Sequence, residues 1–187
     1  MLLDLYSTLL TRIEVRSVEH VAPIVIRPIR PDDEGKLGAF FRGLSDSSRH
    51  RRFHAVMNEL PADVVARFAR PDGYDQVALV AVMGRPGGER LIGEARYVVI
   101  DDQPRKAEFA IAVADIAQGL GLGKRLLRGL MRRATENQVA VLFGDVLPEN
   151  RPMLALARGF GFKQRRDPHE PRLLLVEKSL EAARLAV

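Results

Sequence analysis

The alternation of apolar and polar positions predicts strands in the first two thirds of the chain. Residues 24–30 read IVIRPIR, which alternates like a half-buried strand and ends at Pro31. Three more strand-like runs follow over 75–84, 90–100 and 106–114. The connections between them, GRPGGE and DDQP, are short and rich in turn residues. We therefore expect these three runs to form an antiparallel meander.

Two helices are predicted between the first strand and the meander. Asp32 and Asp33 are suited to cap a helix that runs to about Leu44. Pro61 is suited to open a second helix, PADVVARFAR, which stops before Pro71. The segment 45–58, SDSSRHRRFHAVMN, is polar and basic, and its pattern fits a helix and a loop equally.

The pattern changes after the glycine-rich run QGLGLGK over 118–124. A helix is predicted there, with one apolar face made by Leu126, Leu127, Leu130, Met131 and Ala134. A buried strand over 139–147 and a helix that starts near Asn150 come next, and 163–167 with 172–180 are suited to close the sheet as a hairpin. The order β-α-α-β-β-β-α-β-α-β-β indicates an α+β fold with a mixed sheet.

Length and pattern together predict one domain with a short extension. The 187 residues contain no repeat or linker, so we assign 23–187 to a single domain. Residues 1–22 are interpreted as a helical extension, because Leu2, Leu5, Leu9 and Ile13 fall on one face. The run lacks the features of a signal peptide. Its apolar face is suited to pack on the domain or on a second copy in a homodimer.

Composition removes several classes of protein. No apolar run approaches the roughly 18 residues of a membrane-spanning helix. Cysteine is absent, which excludes disulfides, thiolate metal sites and a covalent cysteine intermediate within this sequence and is compatible with the cytoplasm, where we expect the protein. The net charge of +5 is spread along the chain without aromatic residues interleaved, so a nucleic acid is a disfavoured partner.

The run over 118–124, here called the glycine loop, predicts an anion site. Glycines between a strand and a helix let the backbone approach a ligand, and the free N–H groups of the following helix point at it. The dinucleotide fingerprint does not fit, because the third glycine is Gly123 instead of residue 124. The P-loop pattern does not fit either, since Gln118 and Arg125 occupy two of its fixed positions. The alternative is a glycine-rich connector that binds nothing.

What fits is Q-x-x-G-x-G, formed by Gln118, Gly121 and Gly123. With the downstream block from Asn150 to Gly161 and Phe162, it resembles the GNAT acetyltransferases over about residues 24–180. The resemblance implies a mixed, mostly antiparallel sheet of six to seven strands with about four helices, and acetyl-CoA as co-substrate without a metal. Asn150 either contacts the cofactor or caps its helix. The cofactor residues that the resemblance implies are Ala112, Val113, Gln118, Gly119, Leu120, Gly121, Leu122, Gly123, Lys124 and Asn150.

Two further segments narrow the resemblance. LSDSSRHRRF over 44–53 and AEFAIAVAD over 107–115 are similar to the GNAT domain of bacterial protein lysine acetyltransferases that modify acyl-CoA synthetases. This implies that the acceptor is a protein lysine. A small-molecule amine is the alternative acceptor. A non-catalytic acyl-CoA-binding regulatory module is a second alternative, because Ala157 stands where many family members place a tyrosine acid.

Glu108 is the candidate general base. A lysine amine with a pKa near 10.4 is neutral in only about one molecule in 2,500 at pH 7, so direct attack on a thioester needs a proton acceptor. Period two places Glu108 on one face of its strand with three alanines, Ala110, Ala112 and Ala114. Such a face suits a channel for a thin acyl–pantetheine arm, and the resemblance places a catalytic glutamate here. The alternative is a solvent-facing glutamate near a strand end.

Two basic groups and a histidine pair each have a plain and a functional interpretation. Three arginines share one helical face: Arg125, Arg128 and Arg132. One of them is suited to meet a CoA phosphate, although a solvated basic face is the favoured interpretation. A second cluster either docks an acidic protein surface or is a solvated turn; it contains Arg49, Arg51 and Arg52. His50 and His54 have the i, i+4 spacing of metal ligands, but no HExxH pattern accompanies them.

Overall fold

The computed structural model describes residues 23–55, 59–85, 87–166 and 170–180. Within them one seven-stranded sheet has the order β1-β2-β3-β4-β5-β7-β6. The strands are β1 Ile24–Pro28, β2 Gln76–Met83, β3 Arg90–Ile100, β4 Gln103–Val113, β5 Val141–Val146, β6 Lys163–Arg166 and β7 Leu174–Ser179. The helices are α1 Glu34–Arg42, α2 Asp46–Phe53, α3 Ala62–Phe68, α4 Leu122–Glu136 and α5 Arg151–Gly159, with short 3-10 helices at Pro31–Asp33 and Asp115–Ala117. None of these helices is long and apolar enough to cross a membrane.

The sheet confirms the predicted α+β fold. Strands β1 to β4 are antiparallel neighbours, which includes the expected meander. Strand β5 runs parallel to β4, and β7 pairs with β5 and β6 in antiparallel fashion, so the sheet is mixed. Five helices are present in the described part of the chain instead of about four, because the ambiguous segment contains α2. The predicted extension over 1–22 lies outside the described residues.

Each face of the sheet carries its own apolar core. On one face lies α4, whose predicted apolar side chains Leu126, Leu127, Leu130 and Ala134 are fully buried. On the other face lies α1, which buries Leu37, Phe40 and Phe41. Burying apolar surface on both sides fixes the register of the central strands, since a slip of one residue would exchange their two faces.

Strands β4 and β5 separate after a short parallel ladder. Their pairing runs from Lys106 opposite Val141 to Glu108 opposite Phe143. Beyond Glu108, β4 has no strand partner on this side among the described residues, although it continues to Val113. Gly144 permits the close approach at the separation point, because a Cβ there would lie 2.8 Å from the carbonyl oxygen of Phe109. The sheet therefore opens beside the second half of β4.

Candidate active site

A cleft of about 750 Å³ lies beside the open end of β4. Its walls come from β4, the glycine loop, the first turns of α4, helix α5 and helix α2. This volume is typical of small-molecule and cofactor sites. Nine of the ten predicted cofactor residues line it: Ala112, Val113, Gln118, Gly119, Gly121, Leu122, Gly123, Lys124 and Asn150. The tenth, Leu120, lies outside the lining with 64% of its surface exposed.

The glycine loop turns directly into helix α4. Gly119 and Gly121 have φ angles of 80° and 75°, a region that side chains other than glycine rarely adopt. Gly121 is the N-cap, and the first turn of α4 carries no acidic side chain to neutralise its N–H groups. The positive end of the helix therefore faces the cleft, where it favours an anion.

Asn150 caps its helix, as one of the two interpretations predicts, and it also lies at the cleft. Its side-chain oxygen accepts a hydrogen bond from the backbone N–H of Met153 at 3.3 Å, which caps α5. The same residue lines the cleft. The cap therefore holds the first turn of α5, which carries Pro152 and Met153, against the cleft.

Replacing Asn150 by alanine is expected to lower the free energy of unfolding by about 1 kcal/mol, because the N–H of Met153 loses its acceptor. For a chain of this size the melting temperature should fall by about 2–4 °C, measured by circular dichroism. Asn150→Ser restores a cap and is the matched control. Equal melting temperatures for the alanine and serine variants would contradict the capping role.

Glu108 lies at the last paired position of β4, before the strand reaches the cleft. The predicted two faces of β4 are observed, since Ala107 and Phe109 join the core under α4 while Ala112 joins the core under α1. The Glu108 side chain is exposed, but the neighbouring protein partly removes solvent from its carboxylate. This partial desolvation raises the pKa of Glu108, and the positive charge of Arg52 opposes the rise.

A buried chain of charges lies beside Glu108 on the same face of the sheet. Glu94 is fully buried and receives a hydrogen bond from Nε of Arg96. Nη2 of Arg96 donates to the carbonyl oxygen of Phe68 at 3.0 Å. The central carbon of the same guanidinium lies 3.6 Å from the centre of the Phe68 ring. Arg52, whose side chain is only 9% exposed, places Nη2 3.7 Å from Oε2 of Glu94. Burial lowers the pKa of Arg52, while Glu94 and Glu108 support its charge.

This chain of charges was not predicted from the sequence. The signal available was GEAR within RLIGEARYVVI, which puts Glu94 and Arg96 on one face of an otherwise apolar strand. Charged residues are almost never fully buried unless they are paired. What the sequence lacks is the partner, because Arg52 comes from a helix that its own pattern did not define.

The arginine cluster of α2 is divided by its contacts. Arg49 donates to the carbonyl oxygens of Arg42 and Leu44 and pairs with Asp46, and Arg52 pairs with Glu94. Arg51 lines the cleft. The three side chains therefore do not form one surface for an acidic partner.

The second arginine group also separates. Arg128 lines the cleft, whereas Arg125 donates to the carbonyl oxygen of Ile24 at 3.4 Å and Arg132 pairs with Glu136. Arg128 is thus the member of this group placed to meet an anion in the cleft. Residues 23–55, 59–85, 87–166 and 170–180 hold no group of three or more side chains arranged like metal ligands, and this includes His50 and His54.

No tyrosine of the described residues lines the cleft. Ala157, which stands at the position of the family's tyrosine, is fully buried in the core. The Tyr97 hydroxyl donates to the carbonyl oxygen of Tyr74 and accepts from Asn137. Tyr74 itself is 73% exposed and lies outside the cleft lining.

Residues 47–162, from α2 to just past the end of α5, match the model of the acetyltransferase (GNAT) family. The chain belongs to this family. GNAT enzymes are N-acetyltransferases that use acetyl-CoA as co-substrate, so the protein is an acyltransferase of this class. The cleft, the glycine loop and α4 all lie within the matched residues.

Individual relatives agree with the family. This GNAT chain is 30% identical to acetyltransferase PA5475 of Pseudomonas aeruginosa over 83% of both sequences. The crystal structure of the GNAT domain of S. lividans PAT is also 30% identical, with a TM-score of 0.74 over 82% of this chain and 89% of that one. The structure of yncA from Salmonella typhimurium with acetyl-CoA shares the fold at 18% identity, with a TM-score of 0.66 over 84% of this chain and 94% of that one.

Proposed function

We propose that the protein transfers an acetyl group from acetyl-CoA directly to the ε-amine of a protein lysine, with Glu108 as the general base. The observation that carries this proposal is the separation of β4 from β5. It exposes the edge of β4 to the cleft immediately after Glu108, the one position of β4 that bears a carboxylate. An amine near Glu108 would thus meet a thioester that lies along Ala112 and Val113.

The donor is held by its pyrophosphate in this proposal. The glycine loop and the first turn of α4 line the cleft, and that turn carries no acidic side chain to neutralise its backbone N–H groups. Lys124 and Arg128 supply positive charge on the same wall. Leu120, which is exposed outside the lining, would contribute its backbone alone. The pantetheine arm would then extend along the edge of β4 towards Glu108.

The chemical step needs no covalent enzyme intermediate. The amine nitrogen attacks the thioester carbonyl carbon, and the proton that it loses passes to Glu108 directly or through water. Backbone N–H groups at the exposed edge of β4 would stabilise the oxyanion. The C–S bond then breaks to give the amide and the CoA thiolate. The CoA thiolate leaves readily, because the pKa of a thiol is near 8.5. It therefore needs no acid from the protein and takes its proton from solvent.

A protein lysine is the proposed acceptor because of α2 and β4. The segments 44–53 and 107–115, on which the resemblance to lysine acetyltransferases rests, meet in the structure, since Asp115 binds Ser45 and Ser48. The GNAT domain of S. lividans PAT, at 30% identity over 82% of this chain, supports the same acceptor. A non-catalytic acyl-CoA-binding module is the second candidate, favoured by the buried Ala157 and the absence of tyrosine from the described cleft lining.

The test is the release of free thiol from acetyl-CoA, measured with acyl-CoA synthetases and with a panel of small amines as acceptors. We expect release that depends on a synthetase and mass-spectrometric acetylation of one of its lysines. If thiol is released only with a small amine, that amine is the acceptor and the proposed protein lysine is not. Acetyl-CoA binding without release from any acceptor would instead favour the regulatory module.

A further inference from the structure

The carboxylate of Asp115 joins three segments around the cleft. Asp115 lies in the short 3-10 helix between β4 and the glycine loop. Oδ2 accepts from the backbone N–H of Ser45 at 2.9 Å. Oδ1 accepts from the hydroxyls of Ser45 and Ser48 at 2.8 and 2.7 Å and from the side-chain amide of Gln118 at 3.3 Å. One carboxylate therefore ties the start of α2 to the loop that follows β4.

Helix α2 has a weak apolar anchor. None of its residues is fully buried, and Phe53 at its end is its one apolar side chain, which packs against the core under α1. Its N-cap is Ser45, which also accepts from the backbone N–H of Ser48. The helix carries Ser48, Arg51 and Arg52 along the cleft wall. Its position relative to the glycine loop is thus set by polar contacts, of which those to Asp115 are the shortest.

Gln118 completes the connection from the loop side. Its amide nitrogen lies 3.3 Å from the carbonyl oxygen of Val113 and 3.3 Å from the hydroxyl of Ser48, as well as from Asp115. The side chain of this motif glutamine is therefore used to join β4, α2 and the loop. Gln118 also lines the cleft.

We propose that Asp115 is a positioning residue for acetyl-CoA, which fixes α2 and the glycine loop at the spacing that the bound donor requires. The role rests on the proposed donor site but not on the nature of the acceptor. Burial works against the charged form of Asp115, but hydrogen bonds from the backbone and hydroxyl of Ser45 and from Ser48 outweigh it. They hold the pKa of the carboxyl below its usual range, so it stays ionised at neutral pH.

The test measures the dissociation constant of acetyl-CoA by titration calorimetry, without any acceptor. In Asp115→Asn an amide NH2 replaces one carboxylate oxygen, so at least one donor loses its acceptor. This is the backbone N–H of Ser45 if Oδ2 is replaced, or the side-chain donors of Ser45, Ser48 and Gln118 if Oδ1 is replaced. We expect binding about tenfold weaker, as for the loss of one charge-assisted hydrogen bond. Ser48→Ala should weaken binding in the same direction. The double variant should be no weaker than Asp115→Asn alone, because both changes break one network.

Asp46→Asn is the matched control. It removes the same charge from the first turn of α2, but its side chain is 95% exposed and makes no contact with the loop. We expect wild-type affinity for acetyl-CoA. Wild-type affinity in Asp115→Asn, with or without a lower melting temperature, would overturn the positioning role while the proposed function stood. Failure of the wild-type protein to bind acetyl-CoA would overturn both.

Discussion

Glu108→Gln is expected to lower kcat by about 10²–10⁴-fold, the usual contribution of a general base. Glutamine has nearly the same shape but does not accept a proton from the attacking amine. The affinity for acetyl-CoA should stay at the wild-type value, because Glu108 does not line the cleft that we propose holds the donor. The measurement is thiol release at saturating acetyl-CoA with the acceptor identified in the panel.

The pH dependence gives a second, independent sign of this role. Burial raises the pKa of Glu108 above the ordinary range of a glutamate, and Arg52 only partly opposes this. The base works when it is ionised, so kcat/KM of the wild type should fall as the pH drops through that raised pKa. In Glu108→Gln this acid limb should disappear. If the acid limb is unchanged in Glu108→Gln, it belongs to another group, and the role of Glu108 is contradicted.

A loss of folding would not explain the expected result. A carboxylate with a raised pKa in the folded state contributes stability below its unfolded pKa, and that contribution is lost as the pH rises through the folded pKa. At a pH above the folded pKa the ionised Glu108 therefore destabilises the fold, and the melting temperature of Glu108→Gln measured there should be no lower than that of the wild type. Glu59→Gln is the matched activity control, because the Glu59 side chain is exposed and does not line the cleft.

The elements with a clear apolar period were predicted from the sequence, and α2 was not. Helix α4 buries four of the five side chains that its spacing placed on one face, and the fifth, Met131, is partly buried. Helix α2 buries none, so hydrophobic periodicity carries no information about it. It forms because Ser45 caps it and because Asp115, distant in sequence, accepts from its first turn. Contacts of this kind are set by the tertiary fold and leave no local signal.

The candidate site divides in the same way. The glycine loop and Asn150 were predicted because local backbone chemistry fixes their positions: a positive φ at Gly119 and Gly121, and a cap at the start of α5. The predicted face of β4 also holds, because strand period two is a local property. The buried pair of Glu94 and Arg52 was missed because it joins β3 to α2.

Glu94→Ala is expected to cause the largest loss of stability, about 3–5 kcal/mol, because it leaves two buried guanidinium groups without their shared carboxylate. Arg96 loses its hydrogen bond to Glu94, and Arg52 loses the negative charge 3.7 Å away. The measurement is the free energy of unfolding from urea denaturation. A change of this size should lower the melting temperature by roughly 6–20 °C in a chain of this length.

Glu59→Ala is the control for the loss of an ion pair. Glu59 and Arg42 pair at 3.1 Å, but both side chains are more than half exposed. Solvent screens such a pair, so the expected loss is at most about 1 kcal/mol. If the two alanine variants lose equal stability, the burial of Glu94 does not determine its contribution, and the charges beside Glu108 are not held as a chain.

Replacing the whole chain of charges separates its effect on the fold from its effect on the base. Arg52→Met, Glu94→Leu and Arg96→Met together leave no unpaired charge among the three, and such replacements are often neutral or stabilising. The melting temperature should therefore recover most of what Glu94→Ala loses. The acid limb of kcat/KM should move to higher pH than in the wild type. Arg52 lowers the pKa of Glu108, so its removal raises that pKa further. A stable triple variant with the wild-type limb would mean that these buried charges serve the fold alone, whereas a limb at higher pH shows that they also keep Glu108 ionised.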